Sequence, residues 1–234
     1  MKQLELSPRL AALAALVPPG ARLADVGTDH AYLPAWLLLA GRIQRAVASD
    51  VNQGPLDRGR ETARMYGVAE KISFRRCDGL TGLTAGEVDT VVIAGMGGDL
   101  IARILQAAPW TRQVRLILQP MSSQEDLRRW LLENGYGITG ETLAREGEKF
   151  YQILTATGGE KEDYTPGELL LGRQHPEEAS PHRLAYLEDQ IRRRRRALAG
   201  MARSAHPDPA ALAREEALAA DLERMREEWT AWQR

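Results

Sequence analysis

Short apolar runs alternate with helix-like stretches over the first two thirds of this 234-residue chain, and this alternation constrains the fold more than any other feature. Seven runs rich in Val, Ile and Leu are predicted strands: 22–26, 46–50, 72–75, 90–94, 116–119, 137–144 and 151–156. Predicted helices cover 4–17, 32–39, 54–66, 100–107 and 125–133. Strands that alternate with helices are typical of βαβ units, so we predict an α/β fold with a parallel sheet.

The pattern changes after Thr157. Residues 158–163 are typical of a linker, and Thr165-Pro166 is predicted to begin a helix. Apolar residues then step by three and four over 184–201 and again over 218–232, with His206-Pro207-Asp208-Pro209 predicted to separate two helices. Asp208 is the predicted N-cap of the second helix. We therefore expect two domains, an α/β domain of residues 1–158 and a paired-helix domain of residues 159–234.

Composition excludes several classes of protein and site. The chain is 44% hydrophobic and 27% charged, as in ordinary globular proteins, and it has no uncharged stretch near the ~20 residues of a membrane-spanning helix. The single cysteine, Cys77, excludes an internal disulfide, and the four histidines are scattered, so we expect no metal site and a reducing, cytoplasmic location. The net charge of −1 requires any nucleic acid to bind a local basic patch.

Chemistry-bearing residues follow four successive predicted strands. Residues 25–29, Asp-Val-Gly-Thr-Asp, place an acid and a glycine where the first strand ends; Asp50 closes the second strand, Asp78-Gly79 follow the third, and residues 95–98 follow the fourth. Ligands of open α/β sheets bind outside the carboxyl ends of the strands. The four motifs together predict a nucleotide-type cofactor site, although each alone is compatible with a turn glycine or a helix cap.

The strand-end motifs resemble those of class I S-adenosylmethionine methyltransferases, and the chain as a whole resembles the bacterial tRNA (adenosine-22 N1)-methyltransferase family. Matching segments lie between residues 6 and 154, at 6–10, 24–34, 54–55, 77–80, 93–98, 116–120, 129–131 and 149–153. The Asp-His-Ala-Tyr-Leu-Pro and Gly-Met-Gly-Gly elements are specific to this family, whereas the cofactor motifs would fit many methyltransferases. The chain departs from the family pattern at Thr28, Asp50, Met121 and Gln152.

The resemblance implies a Rossmann-like seven-stranded methyltransferase domain with a C-terminal helical hairpin, S-adenosylmethionine as cofactor and tRNA as partner, in a protein that we expect to be a monomer. The implied cofactor-binding residues are Asp25, Gly27, Thr28, Asp50, Val51, Asp78, Gly79 and Gly95. Asp29 is the implied catalytic residue. The implied substrate-binding residues are Arg9, His30, Tyr32, Met96, Gly97, Arg192, Arg193 and Arg196.

Asp29 suits methylation at adenine N1 in two ways. A positive charge develops on the ring during transfer, and a nearby carboxylate stabilises it; alternatively, the carboxylate accepts a hydrogen bond from the exocyclic amine and orients the base. A purely structural alternative is that Asp29 caps the first helix after the strand or contacts the cofactor. Tyr32 is expected either to stack on an extruded adenine or to pack under the turn, and the arginine run at 192–196 either binds RNA or is a solvated helix face.

Two other functions stay open from the sequence. One is a methyltransferase of the same fold that acts on another RNA position or on a small molecule; the other is a non-catalytic RNA-binding module with a vestigial cofactor site. The chain lacks an Asn/Asp-Pro-Pro-aromatic element after the fourth strand, which disfavours exocyclic-amine methylation. It also lacks a cysteine there, which disfavours cytosine C5 methylation.

Overall fold

The computed structural model describes residues 4–177, 180–203 and 208–233. The chain divides into two compact units, Met1–Glu162 and Asp163–Arg234. The predicted break at His206-Pro207 lies outside the described residues. No helix among those described is long and apolar enough to cross a membrane.

The first unit contains all seven strands. Its elements in chain order are α1 (Pro8–Leu16), β1 (Leu23–Val26), α2 (Tyr32–Leu39), β2 (Ala46–Asp50), α3 (Gln53–Met65), β3 (Ile72–Arg76), β4 (Thr90–Gly97), α4 (Gly98–Gln106), β5 (Arg115–Ser122), α5 (Gln124–Glu133), β6 (Tyr136–Glu146) and β7 (Lys149–Gly158). Short 3-10 helices precede β3 and β5.

The seven strands form one sheet in the order β3-β2-β1-β4-β5-β7-β6. The first five positions are parallel, whereas β7 is antiparallel to both β5 and β6. Side chains that alternate along β1 enter two hydrophobic cores: Leu23 packs with α1 and α2, and Ala24 packs with α4 and α5. The predicted fold class is confirmed, with the correction that the sheet is mixed because a β6–β7 hairpin closes one edge.

Several predicted boundaries differ from the observed ones by one to four residues, and two of them have a clear local reason. The first helix begins at Pro8 rather than at residue 4, because Ser7 is its N-cap and Pro8 occupies the first turn. The fourth strand continues to Gly97 rather than ending at Ala94, and it pairs irregularly with β5 around Met96. Gly95 has a φ of +78°, so the strand bulges there without ending. Residues 95–97 of the predicted motif therefore form the bulged end of β4.

The second unit is helical, with α6 (Pro166–Leu171), α7 (Arg183–Ala202) and α8 (Pro209–Trp232). Both predicted helix starts are confirmed: Thr165 and Glu168 form a capping box, and the Asp208 carboxylate accepts from the amides of residues 210 and 211. The centres of the two apolar stripes are buried, at Leu187, Ile191, Leu222, Met225 and Trp229. The outer stripe residues Leu184 and Trp232 are exposed, because each lies near one end of its helix.

Candidate active site

A cleft of about 330 Å³ opens at the carboxyl ends of β1 and β4. It brings together predicted residues from three parts of the chain: α1, the turn after β1 and the end of β4. The predicted residues that line it are Arg9, Asp25, Gly27, Thr28, Asp29, His30, Tyr32 and Gly95; Leu10, Leu13, Ala31, Leu33 and Ala94 complete the wall.

Backbone geometry explains the sequence of the turn after β1. The Gly27 and Thr28 amides both donate to the Ser49 carbonyl of β2, at 2.8 and 3.1 Å, so the turn is attached to the neighbouring strand. Gly27 has a φ of +74° and Ala31 a φ of +53°, and the Thr28 hydroxyl accepts from the Ala31 amide at 3.1 Å. Ala31 therefore adopts a left-handed conformation that glycine occupies with less strain.

Close packing at the end of β4 requires its glycines. A Cβ at Gly27 would overlap the Met96 methyl group, so the turn after β1 and the bulge of β4 are in contact. Gly97 is the N-cap residue of α4, and a Cβ at Gly98 would overlap the Ser123 carbonyl oxygen. These positions hold two loops close together and keep the Gly95 backbone open to the cleft.

Asp25 is the buried acid of the cleft, with 8% of its surface exposed. Burial raises its pKa to about 6, and a hydrogen bond with Thr28 opposes the rise only in part. Among the described residues, no cationic side chain pairs with it. A buried carboxylate without a cation suits the ammonium group of a ligand, so the residues present fit the methionine part of S-adenosylmethionine.

Asp50 and Asp78 lie at the next two strand ends. One Asp50 carboxylate oxygen accepts from the Asn52 amide at 2.7 Å, and α3 has no side-chain cap, so the capping alternative for Asp50 is wrong. Asp78 is exposed beside a separate cleft of about 180 Å³. The Ser49 hydroxyl donates to the Gly79 carbonyl at 3.5 Å, which joins the ends of β2 and β3. Val51 is 60% exposed there, an apolar surface open to a ligand.

Asp29 does not cap the helix after the turn. The N-cap of α2 is Ala31, which has no side-chain cap, whereas the Asp29 carboxylate accepts two hydrogen bonds from Arg58 of α3, one of them at 3.1 Å from Nε. The other Asp29 oxygen lies 3.4 Å from His30 Nε2. The His30 and Tyr32 rings are stacked, with centroids 5.1 Å apart, and Tyr32 is 40% exposed rather than packed under the turn.

Arg9 enters the cleft from α1 and is fixed by residues that the sequence analysis missed. Its Nη1 donates to the fully buried Gln119 at 2.9 Å, its amide donates to Glu146 at 2.9 Å, and its guanidinium lies 5.6 Å from the centroid of the Tyr151 ring. A lone polar residue at the end of an apolar strand was the available signal for Gln119. Arg58 gave no comparable signal, because an arginine on a helix is usually solvated.

The remaining predicted residues lie in the second unit, on α7. Arg192 and Arg193 are exposed, and both pair with Asp189. Arg194 and Arg195 pair with Glu215 and Glu223 of α8 at 3.2 and 2.7 Å. Four of the five arginines of the run at 192–196 are thus in ion pairs on the same helical unit.

Comparisons with known proteins agree on a methyltransferase fold. Residues 6–154 match the family model described as a methyltransferase domain. The tRNA (adenine(22)-N(1))-methyltransferase of Bacillus subtilis is 39% identical over 164 residues, 69% of each chain. The crystal structure of Sp1610 from Streptococcus pneumoniae has a TM-score of 0.85 and 32% identity, over 95% of this chain and 100% of that one. M. capricolum TrmK, solved with S-adenosyl-homocysteine, has a TM-score of 0.78 and 25% identity, over 95% and 98%.

Proposed function

Because this chain belongs to the tRNA (adenine(22)-N(1))-methyltransferase family, we propose that it methylates N1 of adenosine 22 in tRNA with S-adenosylmethionine. The product is 1-methyladenosine, and the reaction takes place in the cytoplasm on a monomeric enzyme. The observation that carries the proposal is the single cleft that holds Asp25, Gly27, Asp29 and Gly95, with Asp50 and Asp78 at the adjoining strand ends.

The experiment is mass spectrometry of nucleosides from unmodified tRNA incubated with the protein and S-adenosylmethionine. We expect 1-methyladenosine, and we expect none when adenosine 22 is replaced by guanosine. Methylation of another base, or of the variant transcript, contradicts the assigned position. No methylation of tRNA, with intact cofactor binding, favours a small-molecule substrate.

We assign cofactor binding to the residues at four strand ends. When bound, S-adenosylmethionine supplies an electrophilic methyl group on a sulfonium. The buried Asp25 carboxylate accepts from the ammonium group, and the Asp50 oxygen not used by Asn52 accepts from the ribose hydroxyls. Asp78 accepts from the adenine amine, and Val51 packs on the adenine. Backbone groups at the remaining positions, Gly27, Thr28, Gly79 and Gly95, allow close approach.

The role of Asp29 follows from its bonds to Arg58. A carboxylate paired with a guanidinium has little net charge, which weakens it as an electrostatic partner for the developing cation. The same bonds fix its position and leave one oxygen directed toward His30. We infer that Asp29 orients the target adenine by accepting from the exocyclic amine, while the N1 lone pair attacks without prior deprotonation.

Two substitutions at one position separate these roles. Asp29→Ala removes the acceptor and is expected to lower the single-turnover rate with saturating tRNA by about 100-fold. Asp29→Asn keeps an acceptor oxygen but has no charge. If Asp29 orients the base, this variant should retain most of the single-turnover rate of the parent. Equal losses in both variants indicate that charge matters instead. A rate within a few-fold of the parent for Asp29→Ala excludes a role in the transfer step.

The stacked His30 and Tyr32 rings supply a platform for the target base. The exposed Tyr32 face stacks on an adenine extruded from tRNA, and extrusion costs a few kcal/mol that such stacking offsets. Arg9 lines the same cleft, and Met96 and Gly97 follow Gly95 at the end of β4, so we assign these three residues to the substrate position as well. Tyr32→Phe should retain methylation and Tyr32→Ala should lower it; equal activity of Tyr32→Ala contradicts the platform.

The helical unit contributes phosphate contacts through Arg192, Arg193 and Arg196. Arg192 and Arg193 share one acid, and exposed ion pairs are worth about 0–1 kcal/mol, so phosphates can replace Asp189 at little cost. Neutralising the three arginines together should lower the log–log salt slope of tRNA binding by about 2 to 3, since each lost contact removes about 0.7 to 0.9. An unchanged slope contradicts this role.

A further inference from the structure

Positive charge in the first unit is concentrated in one segment. Residues 42–76, which form β2, α3 and β3, contain eight basic and four acidic residues in a chain whose net charge is −1. The excess of four positive charges lies on consecutive elements at one edge of the sheet, since β3 is the edge strand and β2 its neighbour. This edge is therefore basic in a protein that is nearly neutral overall.

Four exposed cations of this segment lack a partner among the described residues: Arg76, and three that line clefts. Arg45, Arg64 and Lys71 make no side-chain hydrogen bond or ion pair with any described residue. On α7, by contrast, four of five consecutive arginines are paired with acids. A phosphate bound by the three free cations displaces no ion pair, so they retain their full attraction for an anion.

The three cations line two adjoining clefts. Arg64 lines a cleft of about 310 Å³ together with Arg60 and Phe74, and the Arg60 guanidinium lies 5.3 Å from the centroid of the Phe74 ring. Arg45 and Lys71 line a second cleft of about 400 Å³. Glu70 and Ile72 line both clefts, which makes the surface continuous. Six cations line the two clefts against two acids, Glu70 and Glu87, and Glu87 is paired with Arg75.

The α3 helix leads from the candidate active site toward this surface, which lies at the amino ends of β2 and β3 because Arg45 and Lys71 immediately precede those strands. Arg58, in the first half of this 13-residue helix, bonds to Asp29 of the cleft, and Arg64 follows six residues later. At 1.5 Å per residue, Arg64 is about 9 Å further along the helix axis. Successive phosphates of one strand advance about 3.4 Å along a duplex, so this distance corresponds to about three nucleotides.

We propose that Arg45, Arg64 and Lys71 form an RNA-backbone site, the α3 basic surface, which binds tRNA phosphates at the amino ends of β2 and β3, whereas the candidate active site lies at the carboxyl ends of β1 and β4. The inference rests on the proposed tRNA substrate and adds a second phosphate-binding region, separate from the arginines of α7. It assigns to the methyltransferase domain itself a share of RNA affinity.

The test compares two triple variants of the full-length protein with equal changes in net charge. The first is Arg45→Gln, Arg64→Gln and Lys71→Gln. The matched control is Arg115→Gln, Lys149→Gln and Lys161→Gln, three exposed cations of the same unit that also lack a partner among the described residues. Binding of an unmodified tRNA transcript is measured by fluorescence anisotropy from 50 to 300 mM salt, and cofactor affinity by calorimetry.

We expect the first triple variant to reduce the log–log salt slope by about 2 to 3, since each of the three lost contacts removes about 0.7 to 0.9. The control should keep the parental slope, and both should keep parental cofactor affinity. Equal slopes in the two variants overturn the proposed surface, even if the parent methylates adenosine 22. If the parent does not methylate tRNA but the salt slope is lowered only in the first variant, the proposed function is overturned and the proposed RNA-binding surface is still supported. A parent that does not bind tRNA overturns both.

Discussion

Asp25 should make the cofactor-free protein less stable as pH rises. Its pKa is about 6 in the folded protein and 3.8 when solvated, because burial disfavours the charged carboxylate. Between these values the folded state binds more protons than the unfolded state, so the free energy of unfolding falls as pH rises from about 4 to about 6. At about 1.4 kcal/mol per pKa unit, the cost at neutral pH is about 3 kcal/mol.

The assay is urea denaturation of the parent and Asp25→Asn between pH 4.5 and 8, without cofactor. Other carboxyl groups titrate in this range in both proteins, so the difference between the two isolates Asp25. We expect the variant to gain about 2 kcal/mol of stability relative to the parent on going from pH 4.5 to 7, because about 1 kcal/mol of the cost is already present at pH 4.5. The exposed Glu160→Gln variant is the control and should track the parent. A parent–variant difference that does not change with pH refutes the argument.

The same carboxyl couples cofactor binding to protons. If the ammonium group of S-adenosylmethionine pairs with Asp25, binding favours the ionised carboxylate and releases a proton below about pH 6. Affinity should therefore rise between pH 5 and 7. Calorimetry at pH 5.5 in buffers of different ionisation enthalpy measures the released proton, and binding without proton release would exclude the pairing.

Three further substitutions test other parts of the structure. Asp50→Ala should weaken S-adenosylmethionine binding by about 1.5 to 3 kcal/mol, because a charged hydrogen-bond acceptor is lost; unchanged calorimetric affinity contradicts the ribose assignment. Gly98→Ala should destabilise the fold by at least about 1 kcal/mol, since its Cβ would overlap the Ser123 backbone; an unaltered urea midpoint contradicts this. Arg128→Ala should cost about 3 to 5 kcal/mol in urea unfolding, because it leaves the buried Glu141 without its cation, and a cost under 1 kcal/mol would contradict the buried pair.

The strands were predictable because most of them are short runs rich in Val, Ile and Leu, a local signal that does not depend on distant residues. The seven runs, the helix start at Thr165-Pro166 and the Asp208 N-cap are all local signals, and all are confirmed. The antiparallel direction of β7 was not predictable in the same way. An apolar run has the same composition in a parallel and in an antiparallel strand. The direction of β7 is set by the short hairpin connection between Glu146 and Lys149.

The site was predictable only where one short segment supplies it. Asp25, Gly27 and Asp29 lie in one turn, so their proximity follows from their order in the chain. Arg58 and Gln119 contact Asp29 and Arg9 across 29 and 110 residues, and no local pattern encodes such pairs. Long-range polar contacts are properties of the assembled sheet and helices.

The position of Arg9 has a consequence for biosynthesis. Its partners Gln119 and Glu146 are 110 and 137 residues further along the chain, so they leave the ribosome long after α1. At 5 to 20 residues per second, translation needs about 7 to 30 s to reach Glu146 after Arg9. During that interval the nascent chain has the glycine turn after β1 but no fixed Arg9. Completion of the cleft therefore depends on the translation of the β6–β7 hairpin, and a ribosome stalled before β6 exposes an N-terminal domain with an unfinished site.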